Sequence, residues 1–217
     1  MKNIKLIFSI TVTAILLFAV AGCGSNSTEN EIEDTAVVNE NDLSLTTLAK
    51  DITDEESEAL IFMREEEKLA RDIYISFYKT YGLRIFNNIS KSEQQHMNAI
   101  KVLLDLYEIQ DPVKDDITGK FENQDLQDLF DQLLLQGSAS KTDALAVGAA
   151  IEEIDILDLL KSISNPELKS EILVVFNNLK KGSENHLRSF VRNLQVNGID
   201  YEAQYLDEEF YKSIISR

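Results

Sequence analysis

Tryptophan is absent from the 217-residue chain, cysteine occurs once, and proline and histidine occur twice each. A lone cysteine excludes an intramolecular disulfide. Two prolines and eight glycines leave few helix breakers, so long uninterrupted helices are expected. Positive charge is also short, with 21 Lys and Arg against 38 Asp and Glu, a net charge of -17. That balance excludes nucleic acid as a partner, because phosphate binding needs a basic surface. It suits metal cations. What is present in quantity is Leu, Ile, Glu, Lys and Asp, and the 44% hydrophobic content is enough for a core.

Only the N-terminus carries a long apolar run, Leu6 to Ala21, behind Lys2 and Lys5. Residues 1–22 therefore read as a secretory signal. The run ends in Val20-Ala21-Gly22-Cys23, which resembles a bacterial lipobox. That resemblance implies cleavage before Cys23 and lipidation of Cys23, anchoring the chain to a bacterial membrane on its extracytoplasmic side. The alternative is an uncleaved transmembrane anchor, since the run is nearly long enough to span. Residues 23–52 follow as the lipidated cysteine and an acidic, flexible tether with no helical or strand period. The folded domain is expected over 53–217.

Thr53-Asp54-Glu55-Glu56 is a capping-box pattern, and Gly82 is a stop for the helix it opens. Leu60, Met63, Glu67, Ala70, Tyr74, Phe77 and Tyr81 share one face of that helix. Glu67 thus lies inside an apolar stripe, where a charge costs several kcal/mol without a partner. Glu66 is its fallback, and Glu65 is expected to face solvent. A second helix is expected from Ser90 or Ser92, with Glu93 and His96 neighbours at i, i+3. Helix-dipole compensation for Glu93 and a half-buried core role for His96 are the plainer readings. A short helix is expected at about 123–135, and a long one from Ser140 to Ile163. In the latter, Glu152 interrupts an apolar face, Asp155 reaches the same side and Glu153 is the alternative. Asn165-Pro166 is expected to start the next helix, with a kink or break at Lys180-Lys181-Gly182-Ser183 and His186 beyond it. A last short helix from Asp207 is expected to dock on the others. Ser92-Glu93-Gln94-Gln95-His96 and Ser183-Glu184-Asn185-His186 form a weak repeat, in which Ser183 stands opposite Glu93.

Glu67-x-x-Ala70-x-x-x-Tyr74 resembles the first-helix ligand motif of ferritins and rubrerythrins, and Glu93-x-x-His96 resembles their second-helix motif. Glu152 with Asp155 is similar to the paired acids of the rubrerythrin third helix, and His186 falls where the fourth-helix histidine stands. The strings at 64–72 and 182–188 look most like DUF2202, an uncharacterised ferritin-like family, over about residues 53–215. The resemblance implies an all-α, ferritin-like four-helix bundle with a short extra helix in the central connection and a C-terminal docking helix. It implies two divalent ions, Fe or Mn, held by Glu67, Glu93, His96, Glu152, Asp155 and His186. Glu93 and either Glu67 or Glu152 would bridge, and each histidine would cap one ion. Ser183 departs from the ferritin-like superfamily's fourth-helix Glu-x-x-His, leaving a lopsided or single-metal site open, with Asp155 as a substitute carboxylate.

The function expected from this resemblance is that of a di-metal oxidoreductase or ferroxidase-like protein reacting with O2 or peroxide. The alternatives are a non-catalytic metal-sequestering protein and a helical interaction lipoprotein. Catalytic residues are not assigned, Tyr74 reads as core before electron relay, and a homo-oligomer is left open.

Overall fold

The computed structural model describes residues 51–216. The expected signal segment, Cys23 and the tether up to residue 50 lie outside the described residues. Among those described the protein is all-helical, with α1 (Asp54–Tyr81), α2 (Arg84–Leu106), α3 (Gln124–Gly137), α4 (Lys141–Ile163), α5 (Ser170–Val196) and α6 (Glu208–Ile215). None of these is long and apolar enough to cross a membrane.

Where a side chain can cap, the helix starts where the sequence says. Thr53 accepts from the Glu56 amide at 3.2 Å and Glu56 reaches back to the Thr53 amide at 3.0 Å, closing the capping box of α1. Asn123, Ser140 and Asp207 cap α3, α4 and α6 in the same way. Gly82, left-handed at φ 68°, ends α1.

Two starts differ from expectation. α2 begins at Arg84, not at Ser90 or Ser92, and its N-cap, Leu83, makes no side-chain cap bond. Phe86 and Ile89 bury in the core, and that packing extends the helix back to the turn. Glu93 therefore lies well inside α2, so compensation of the helix dipole does not explain it. α5 begins at Ser170, not at Pro166, and runs without a break through Gly182.

α1 packs along α2 across the Gly82-Leu83 turn, and α4 packs along α5. The two pairs meet through α1 on α4 and α2 on α5. α3 lies against α1 and α4, and α6 lies against α5, where Arg188 donates to the Ile214 carbonyl at 3.1 Å. Gly148 permits the close approach of α4 and α5, since a Cβ there would stand 2.5 Å from the Phe190 ring.

The core is split in two. One cluster gathers Tyr74, Phe77, Phe86, Leu145 and Phe190. The other gathers Leu60, Met63, Ile100, Leu159 and Phe176. On α1, α2 and α5, Glu67, then Glu93 and His96, then His186 fall between the helix's contributions to these clusters, and on α4 Glu152 and Asp155 follow Ile151 of the first and precede Leu159 of the second. A polar layer is thus sandwiched between two apolar ones.

α1 has no wet face at its centre, because every residue from Met63 to Tyr74 is buried. Glu65, expected in solvent, instead accepts from the amides of Glu122 and Asn123 at 2.6 and 3.0 Å. Lys68 and Arg71 close on Asp72, and Arg71 also pairs with Asp116 of the α2–α3 connection. This connection covers the side of α1 that periodicity assigns to water.

Candidate metal centre

Five of the six singled-out acids and histidines meet in the polar layer. His96 Nδ1 stands 3.1 Å from Glu67 Oε2 and 2.8 Å from Glu93 Oε2. His186 Nδ1 stands 2.9 Å from Glu93 Oε1 and 3.3 Å from Glu152 Oε2. The two rings are stacked with centroids 5.5 Å apart. Two trios result, Glu67–Glu93–His96 and Glu93–Glu152–His186, each with its ligand atoms within 4.8 Å of one another. Glu93 belongs to both and gives one oxygen to each.

Hydrogen bonding accounts for only part of this geometry, the contact of His96 Nδ1 with Glu67 Oε2. An imidazole has at most one hydrogen on Nδ1 and can serve one acceptor well, yet each Nδ1 faces two carboxylates from different helices. His186 Nδ1 and Glu93 Oε1 are 2.9 Å apart, but neither has a hydrogen-bond partner among the described residues; Glu67 Oε1 is likewise without one. Atoms side by side and off the hydrogen-bond line are how two ligands of a common centre stand. With metal–ligand bonds of about 2.1 Å, neighbouring ligand atoms fall roughly 3 Å apart. Carboxylate oxygens with imidazole nitrogens are a donor set suited to Fe or Mn.

Surrounding groups fix these ligands. Ser92 Oγ lies 2.9 Å from His186 Nε2, which leaves Nδ1 to face the carboxylates. Tyr74 donates to Glu152 Oε1 at 2.5 Å from within the aromatic cluster. Gly182 abuts His96, where a Cβ would stand 2.6 Å from Nε2. The glycine expected to kink α5 is instead where the helix makes room for a ring.

Charge is unbalanced in this layer. Burial works against protonation of His96, but Glu67 and Glu93 overcome it and raise its pKa to about 12. His186 is raised to about 11, where Glu93 and Glu152 overcome burial in the same way. Burial would lift Glu93, yet His186 and His96 hold it at about 2. Two imidazoles cannot neutralise the rest. Burial pushes Glu67 up to about 7 against the pull of His96, and burial followed by the Glu93 charge raises Glu152. The layer is short of positive charge, as a site for cations would be.

Asp155 is the sixth residue, and it stands apart from both trios. Ser183 donates a short hydrogen bond to its Oδ2, while Oδ1 has no partner among the described residues. Burial, then Glu67 and Glu152, push its pKa well up. The fallback Glu153 faces elsewhere, accepting from Tyr201 Oη at 2.7 Å and from the amides of Gln204, Tyr205 and Leu206. Glu66 is buried beside Asp158, and burial followed by the Asp158 charge raises its pKa well above the usual range. The sequence reading passed over Ser92 as more than a helix cap, and missed Asp158 entirely. Asp158 is one turn beyond Asp155 but about 120° round α4 from Glu152, off the apolar stripe, and so gave no such signal.

One and the same known protein resembles this chain by sequence and by solved structure. Uncharacterized protein MJ0754 of Methanocaldococcus jannaschii is 50% identical over 165 residues, covering 76% of this chain and 89% of that protein. The crystal structure of hypothetical protein MJ0754 superposes with a TM-score of 0.75, covering 77% of this chain and 95% of the solved one. The family described as Uncharacterized protein domain (DUF2202) matches residues 56–217, and the chain belongs to that family.

Proposed function

We propose that the four long helices form a ferritin-like bundle around a carboxylate–histidine site for two divalent ions, Fe or Mn. The observation that carries this is the pair of Nδ1 atoms, each facing two carboxylates, with Glu93 common to both. Glu67, Glu93 and His96 would hold one ion, and Glu93, Glu152 and His186 the other. Asp155 is a reserve carboxylate hydrogen-bonded to Ser183, which stands where ferritin-like proteins carry a glutamate. When bound, such a pair supplies one-electron redox chemistry toward O2 or peroxide, which makes a ferroxidase-like oxidoreductase the activity we favour. The chain's own part is to hold the ligands: Ser92 orients His186, Tyr74 orients Glu152, and the apolar clusters on either side exclude water. The lipobox-like Cys23 would tether this domain outside the cytoplasm.

Elemental analysis of the purified protein is expected to find about two Fe or Mn per chain, as in carboxylate-bridged bundles. A folded protein free of metal and unchanged by chelator refutes the reading. Adding Fe(II) anaerobically and then admitting O2 separates turnover from storage. Oxidation no faster than in buffer leaves a metal-sequestering protein.

A further inference from the structure

Glu65 and Glu153 show what a structural buried carboxylate looks like here, since backbone amides and a tyrosine satisfy their oxygens. Glu66 and Asp155 are different. Each is only 5% exposed, yet Glu66 Oε2 and Asp155 Oδ1 have no hydrogen-bond partner among the described residues. Leaving such atoms buried and unpaired costs free energy. Both lie on one line. Glu152, Asp155 and Asp158 follow at i, i+3 and i+6, winding from the buried side of α4 to its half-buried flank, and Phe62 and Glu66 follow at i, i+4 on α1, which packs against it. Asp158 is within electrostatic reach of Glu66. Glu66 is within electrostatic reach of Asp155 and Glu67, and Asp155 within reach of Glu67, Glu152 and Glu93. At its outer end the line opens into a cleft of about 400 Å³ lined by Glu55, Glu58, Phe62, Asp158 and Lys161, among others.

We propose that Asp158, Glu66 and Asp155 form the inlet by which divalent cations pass from this cleft to the metal centre. The inference rests on the metal reading of Glu67, Glu93, His96, Glu152 and His186. A hydrated cation meets the acidic cleft first, where converging negative charge raises its local concentration. Asp158 then hands it to the unpaired oxygens of Glu66 and Asp155, which replace lost water ligands one at a time. Ser183 holds Asp155 by its other oxygen, so Oδ1 stays free for the passing ion.

An inlet changes rates, whereas a ligand changes affinity. The test is stopped-flow uptake of Co(II) by the chelator-treated full chain, followed by its visible absorption, with release measured by adding chelator. Asp158→Asn is expected to slow uptake roughly tenfold, and Asp158→Lys further, in the range of electrostatic steering. Release should slow alongside, and both variants should still bind as many ions as wild type with unchanged helicity. Uptake at the wild-type rate with full binding overturns the inlet and leaves the centre standing. Equal slowing in Asp105→Asn, an exposed acid outside the cleft, overturns it too, by assigning the effect to net charge. A wild-type chain that takes up no Co(II) overturns the centre itself, and the inlet with it.

Discussion

Replacing Glu93 by glutamine keeps the shape of the side chain and removes the one charge shared by both trios. Each of its oxygens lies 2.8–2.9 Å from an imidazole nitrogen. At an effective dielectric of 20, a unit pair at that separation is worth about 6 kcal/mol. The histidines can limit the loss by giving up protons, so the metal-free variant should lose about 3–5 kcal/mol, the usual cost of breaking a buried pair. At about 2–4 °C per kcal/mol for a domain of this size, its melting temperature should fall by about 6–20 °C. The effect on metal is sharper still. Glu93→Gln removes a ligand from both trios and should abolish tight binding of both ions. Glu67→Gln and Glu152→Gln each touch one trio and should each cost one ion. Elemental analysis after gel filtration, with thermal melting followed by circular dichroism in chelator, reads both quantities. A Glu93→Gln protein that still carries as many ions as wild type, or a Glu67→Gln protein that loses both, refutes the shared-ligand geometry.

Glu153→Ala should leave Tyr201 Oη and three backbone amides without their acceptor, costing about 3 kcal/mol, yet leave metal content unchanged. Thermal melting with elemental analysis checks this, and loss of metal would mean that the wrong one of two adjacent glutamates has been assigned to the centre. Labelling with a tagged fatty acid should mark the wild-type chain and not Cys23→Ser, as read by gel fluorescence. An unlabelled wild-type chain would count against lipidation there.

How much of this could be read beforehand depended on which group supplied the signal. Glu67 and Glu152 stood out because each interrupts an apolar stripe, Glu93 and His96 because they are neighbours at i, i+3, and His186 because it repeats the His96 string; spacing along a helix is preserved on folding. Helix starts were legible at Thr53, Asn123, Ser140 and Asp207, where a side chain does the capping. They were missed at Leu83 and Lys169, where no side chain caps and tertiary packing decides. Glu65 was misplaced because periodicity grants every helix a wet side, and the cover over α1 comes from a connection without a period. Its acceptor role depends on the amides of Glu122 and Asn123, which no side-chain pattern reveals. Gly182 was read as a helix breaker because its use, room for the His96 ring, exists only once α2 and α5 meet.

The two trios differ in how far along the chain they reach. Glu67, Glu93 and His96 all come from the α1–α2 hairpin, so the first can assemble as soon as one short turn closes. The second draws Glu93 from that hairpin and Glu152 and His186 from the other. Closing it joins residues far apart in sequence and carries the larger loop-closure entropy. Glu93 therefore acts as a staple between the two halves of the chain. An ion seated in the first trio would steady one hairpin, whereas an ion in the second would hold the halves together.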